Sequence, residues 1–94
     1  MIEIERAVST GFGHKAPAGF VVNLGGIRLL LDLGRTGAAA PDPVRIGRVD
    51  VVLLSHQHPD HAGALDQLAA LGSPPVYASR SVAQWLGITA RPLD

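Results

Sequence analysis

Six consecutive residues, His56-Gln57-His58-Pro59-Asp60-His61, hold three of the four histidines of this 94-residue chain. They fit a His-x-His-x-Asp-His pattern, and they join two very different segments. Before them, Val49–Leu54 is an apolar run broken only by Asp50, the pattern of a strand covered on both faces. After them, Ala62, Leu65, Leu68, Ala69 and Leu71 recur at helical spacing up to a stop at Gly72. A buried strand must therefore feed straight into a helix across a loop loaded with imidazoles. In an extended segment, residues two apart point the same way, so His56 and His58 can present their rings to one point. Pro59 disfavours the α region for His58 and holds that stretch extended. Asp60 and His61, at the turn into the helix, can aim at a second point nearby.

With 4 His and 6 Asp in the chain, a chance match to this pattern is expected roughly 4 times in ten thousand such sequences, small for so short a motif. One histidine in such a loop would cap the helix and face solvent, but three with an aspartate at this spacing do not fit that reading. Imidazole and carboxylate together suit zinc, iron or manganese. Two ions about 3.5–4 Å apart could share a hydroxide and polarise a substrate's carbonyl or phosphoryl oxygen. The chain has no cysteine, so neither disulfides nor thiolate ligands enter the argument.

The rest of the chain reads as strands and short helices. Ile2–Val8 alternates and suits a first strand. Phe20–Leu24 and Ile27–Leu33 flank Gly25-Gly26, the signal of a tight hairpin, because such turns need positive φ. In the second arm Ile27, Leu29, Leu31 and Leu33 share one face, and Arg28, Leu30 and Asp32 the other. Gly34–Pro43 is a loop, and Val44–Gly47 has no clear period. Val76–Ala78 is a short strand. A helix capped by Ser79 or Ser81 runs to Leu86 and is closed by Gly87, with Trp85 expected to pack alongside Val82 and Leu86. Strands alternating with helices after residue 49 place the chain in the α/β or α+β class. Arg80 and Arg91 read as solvated charges, and His14 as a histidine exposed in the Gly11–Gly13 loop.

Eight basic and eight acidic residues leave no net charge. No basic stripe is present to grip a phosphate backbone, so charge gives nucleic-acid binding no support. No apolar run is long enough to span a membrane, and the N-terminus lacks a signal-peptide layout, so a soluble cytoplasmic protein is expected.

The segment Leu53-Leu54-Ser55-His56-Gln57-His58-Pro59-Asp60-His61-Ala62-Gly63-Ala64-Leu65 resembles the metal-binding signature of the metallo-β-lactamase superfamily. Ile27–Gly34 is similar to the superfamily strand that ends in Asp-x-Gly ahead of that signature. Gly63-Ala64-Leu65, followed by Pro75-Val76-Tyr77-Ala78-Ser79, also resembles the β-CASP nuclease branch. The resemblance implies the N-terminal half of an αββα sandwich, a mostly antiparallel or mixed sheet with flanking helices. Residues 1–94 would then be a single partial domain, truncated on the C-terminal side, with exposed strand edges and one uncovered sheet face.

The resemblance also implies a hydrolase with a two-zinc site, iron or manganese being alternatives. A metal-bound hydroxide would attack an ester, thioester or phosphodiester. His56 and His58 would bind the first metal, and Asp60 and His61 the second. Asp60 would double as the catalytic water-orienting or proton-accepting group, and Asp32 would support the loop from behind. The superfamily's remaining ligands come from later strands, and nothing after His61 supplies another histidine. A missing half or a second chain is therefore expected to complete the site. The alternatives are a catalytically inactive metal-binding or interaction remnant and a nucleic-acid-processing β-CASP-like fragment.

Overall fold

A computed structural model of the chain describes residues 2–6, 19–35 and 40–94, the side chains of Glu5, Arg6, Pro59 and Asp60 excepted. The expectations for His14 and its loop, and for the middle of the Gly34–Pro43 loop, lie outside the described residues.

Six strands form one mixed sheet in sequence order: β1 (Ile2–Arg6), β2 (Phe20–Leu24), β3 (Ile27–Leu31), β4 (Val51–Leu53), β5 (Val76–Ala78) and β6 (Arg91–Pro92). The first two pairings are antiparallel and the next three parallel. The Gly25-Gly26 turn joins β2 to β3 with φ of 55° and 94°, the all-positive geometry of a type I′ hairpin. Helix α1 (Pro43–Ile46) lies between β3 and β4, α2 (Pro59–Ala62) and a 3-10 segment (Leu65–Leu71) between β4 and β5, and α3 (Arg80–Leu86) between β5 and β6. Asp42 caps α1 by accepting from the Val44 N–H, and Ser79 caps α3 by accepting from the Val82 N–H. Gly87 then ends α3 in the left-handed conformation.

All these connections pack on one face of the sheet. Val21, Leu30, Val52, Val76 and Ala78 turn inward from the strands and meet Ile46, Ala62, Leu71 and Val82 in one buried cluster. Each large side chain so buried contributes roughly 1.5–3 kcal/mol. Arg28 reaches round the edge of this layer. Its guanidinium donates to the carbonyls of Ile46 (2.6 Å) and Arg48 (3.1 Å) and to Asn23 Oδ1 (3.0 Å), tying β3 to the end of α1.

The register places the other face. Ile2 and Ile4 pair with Leu24 and Val22, which pair with Ile27 and Leu29; Leu29 and Leu31 neighbour Val51 and Leu53, and Leu53 neighbours Tyr77. Directly paired residues point to the same side, so this face is apolar across five strands. It is also open. Ile2, Ile4, Phe20, Leu24, Ile27 and Leu31 are exposed, which agrees with the expectation of an uncovered sheet face.

Four sequence expectations change. Val49–Leu54 is not covered on both sides: Val52 and Leu54 are buried while Val51 and Leu53 are half-exposed. Leu33 does not share the face of Leu31. The chain leaves the strand at Asp32, whose φ is 62°, and Leu33 turns under the sheet into the core. Trp85 is 75% exposed, because Val82 and Leu86 set the buried stripe and position 85 sits about 80° round the helix from its centre. Finally, the helix expected from Ala62 to Leu71 is broken. The Leu33 N–H donates to the His61 carbonyl (2.8 Å), and the Ala64 N–H donates to the Leu33 carbonyl (3.0 Å). A continuing helix would need the His61 carbonyl for the N–H of Leu65. The chain instead turns at Gly63-Ala64 and resumes as the 3-10 segment.

Candidate metal centre

The histidine loop emerges from the end of β4 and is held from below by the end of β3. Two backbone bonds start the hold: the Asp32 N–H donates to the Leu53 carbonyl (2.8 Å), and Leu33 clips onto His61 and Ala64 as above. The Asp32 carboxylate completes it. Only 5% exposed, it accepts from the Ser55 N–H (2.7 Å), the Ser55 hydroxyl (2.6 Å) and His61 Nδ1–H (2.9 Å). A buried carboxylate with three donors is a satisfied group, and loss of it would leave each donor unmatched. Its positive φ is one that aspartate tolerates better than most residues.

This contact gives His61 a defined tautomer. With Nδ1–H donating to Asp32, Nε2 carries the ring's lone pair. Ligating histidines typically have such a carboxylate behind them. The neighbouring rings gather beside it: the His56 centroid lies 4.1 Å from that of His58, edge to face, and 5.3 Å from that of His61. His56 Nδ1 accepts from the His58 N–H at 3.3 Å, a local bond that folds the loop back on itself. The loop thus brings together His56, His58 and His61, with Asp32 behind the last. Asp60 stands in α2, and its side chain lies outside the described residues.

The donor chemistry fits a divalent cation: three imidazoles within one loop, one of them oriented by a buried carboxylate. Their present arrangement is ring against ring and not spread around a common point. Among the described residues no group of three or more His, Cys, Asp or Glu side chains is set to hold an ion.

Ser55 is the residue that sequence reasoning passed over. Its backbone and hydroxyl are two of the three donors to Asp32, and the available signal was a small hydroxyl residue immediately ahead of the histidine string. Arg80 and Arg91 are exposed, as expected of solvated charges. Arg91 also donates to the Tyr77 hydroxyl (3.1 Å) and lies 5.6 Å from its ring centre. No described helix is long and apolar enough to cross a membrane.

A strand ending in Asp-x-Gly, a parallel neighbour and a histidine loop clamped between them match what the sequence motif implies, and the comparison with protein families agrees. The family model of the metallo-beta-lactamase superfamily matches residues 15–90, and the chain belongs to that superfamily. No curated protein matches it.

Proposed function

We propose that this chain carries the ligand loop of a metal-dependent hydrolase, with His56, His58, Asp60 and His61 holding divalent metal. The observation that carries the reading is the buried Asp32 carboxylate 2.9 Å from His61 Nδ1, in a chain of a superfamily that typically binds such metals. Zinc suits the imidazole donors best, and iron and manganese accept the same set. The bound cation would supply Lewis-acid polarisation of an ester, thioester or phosphodiester oxygen and a more acidic water. Asp32 holds the His61 ring in one tautomer and orientation. Ser55 holds Asp32. Asp60 ligates the cation or accepts the proton of the attacking water. Four donors are too few for two zinc ions, each of which takes four ligands or three and a water. The reading therefore includes donors from outside residues 1–94, on a further segment or a second chain.

A second reading, a metal-free interaction module, draws on the His56–His58 edge contact and the engaged His56 Nδ1. Metal analysis separates the two. The purified chain is expected to bind zinc, and the double substitution His56→Ala and His58→Ala to remove most of it. Equal zinc in both proteins would sink the ligand assignment. The isolated chain is expected to lack robust hydrolase activity. Metal-dependent turnover of a thioester or phosphodiester, lost in Asp60→Ala, would instead mean that a second copy donates the remaining ligands.

A further inference from the structure

The three donors on Asp32 are not spread evenly. Oδ1 accepts one of them, the Ser55 N–H at 2.7 Å. Oδ2 accepts two, the Ser55 hydroxyl at 2.6 Å and His61 Nδ1–H at 2.9 Å. Two donors on one carboxylate oxygen draw on the same negative charge, so each leaves a poorer acceptor for the other. The lengths show which of them takes the larger share. The hydroxyl, at 2.6 Å, sits within the ~2.5–2.7 Å of a strong O–H···O⁻ bond. The ring N–H, at 2.9 Å, sits at the far end of the ~2.7–2.9 Å range of a charge-assisted N–H···O bond. Ser55 therefore competes with His61 for the oxygen they both use.

What the competition changes is the far side of the imidazole. A carboxylate behind Nδ1–H raises the basicity of the ring, and with it the donor strength of Nε2. The more of Oδ2 the hydroxyl takes, the less the carboxylate pulls on the Nδ1 proton, and the weaker Nε2 becomes as a donor. The hydroxyl is not needed to aim the carboxylate. The Asp32 N–H fixes its backbone on the Leu53 carbonyl (2.8 Å), and the Ser55 N–H fixes Oδ1; neither bond involves the serine side chain. Asp32 is buried and Ser55 is exposed, so the hydroxyl can be removed without opening the core.

We propose that the Ser55 hydroxyl attenuates the bond between Asp32 and His61, and so limits how strongly His61 Nε2 donates to a divalent cation, a role that rests on the metal reading above. Ser55 acts through Asp32 and is a positioning residue. The first readout needs no metal. It is the proton resonance of His61 Nδ1–H in the metal-free chain at about pH 8, above the ordinary range of histidine. In Ser55→Ala this resonance is expected to move downfield, the sign of a stronger hydrogen bond, and in Ser55→Thr, which keeps the hydroxyl, to stay. The second readout is a competitive zinc titration. Ser55→Ala is expected to bind zinc about two- to fivefold more tightly, a part of the ~10–100-fold that a ligand's supporting partner is worth. Its urea midpoint is expected to fall with the lost bond, and Ser55→Thr to keep the parent affinity. A serine that only braces the loop would lower stability and affinity together, and that result overturns the proposal. So does a resonance that stays or moves upfield in Ser55→Ala. Should that variant fail to fold, Ser55→Cys, whose thiol fills the same space and donates weakly, is read in the metal-free chain for the same downfield shift, and its absence counts the same way. A downfield shift in a chain that binds no zinc would uphold the attenuation and sink the metal reading instead.

Discussion

At the scale of single residues, Asp32 connects the fold to the candidate centre. It ends β3, turns the backbone at positive φ, and receives three donors on a buried carboxylate. Asp32→Ala is expected to lower the unfolding free energy by about 2–4 kcal/mol, since hydrogen bonds to a charged group are worth ~1.5–3 kcal/mol and their donors are left unmatched. Zinc affinity is expected to fall ~10–100-fold in the same variant, the usual effect of removing a ligand's supporting partner. Urea denaturation checks the first and a competitive zinc titration the second. Stability unchanged within error would show that Ser55 and His61 find other acceptors. The aspartate was legible as a polar residue ending an apolar strand ahead of a glycine. Its partners were not, because Ser55 and His61 lie 23 and 29 residues away and sequence spacing carries no record of that distance.

At the scale of elements, local rules sufficed where local chemistry decides. Gly25-Gly26 marked the hairpin, Ser79 and Gly87 bounded α3, and the run before His56 marked β4. They failed where one element takes a hydrogen-bonding group from another. The apolar periodicity from Ala62 to Leu71 is real, but the Leu33 backbone occupies the carbonyl on which the helix would have continued. Arg28 is a second such case. In the sequence it is a charge interrupting an apolar arm; in the fold its guanidinium bonds two carbonyls and an amide oxygen and locks α1 to the hairpin. Arg28→Ala is expected to cost about 1.5–3 kcal/mol, read from chemical denaturation. Arg28→Lys is expected to recover only part of this, because a single ammonium cannot reproduce the fork.

At the scale of the whole molecule, the sheet is finished on one side and open on the other. The alternation of Ile27, Leu29 and Leu31 against Arg28, Leu30 and Asp32 was visible from the start, and the register now shows which set the helices cover. The other, apolar set is left facing water, so it adds little burial to the single copy.

The clip of Leu33 onto His61 and Ala64 also bears on how portable the histidine string is. The six residues hold their shape through bonds to a strand exit nearly thirty positions upstream, and that exit is placed by its own pairing with β4. The shape of the loop thus depends on the pairing of two strands distant in the chain, and its stability is tied to that of the sheet. Cut out as a peptide or grafted onto another strand–helix junction, His56–His61 would keep its donors and lose their preorganisation. The motif is a property of the tertiary fold that happens to be written contiguously.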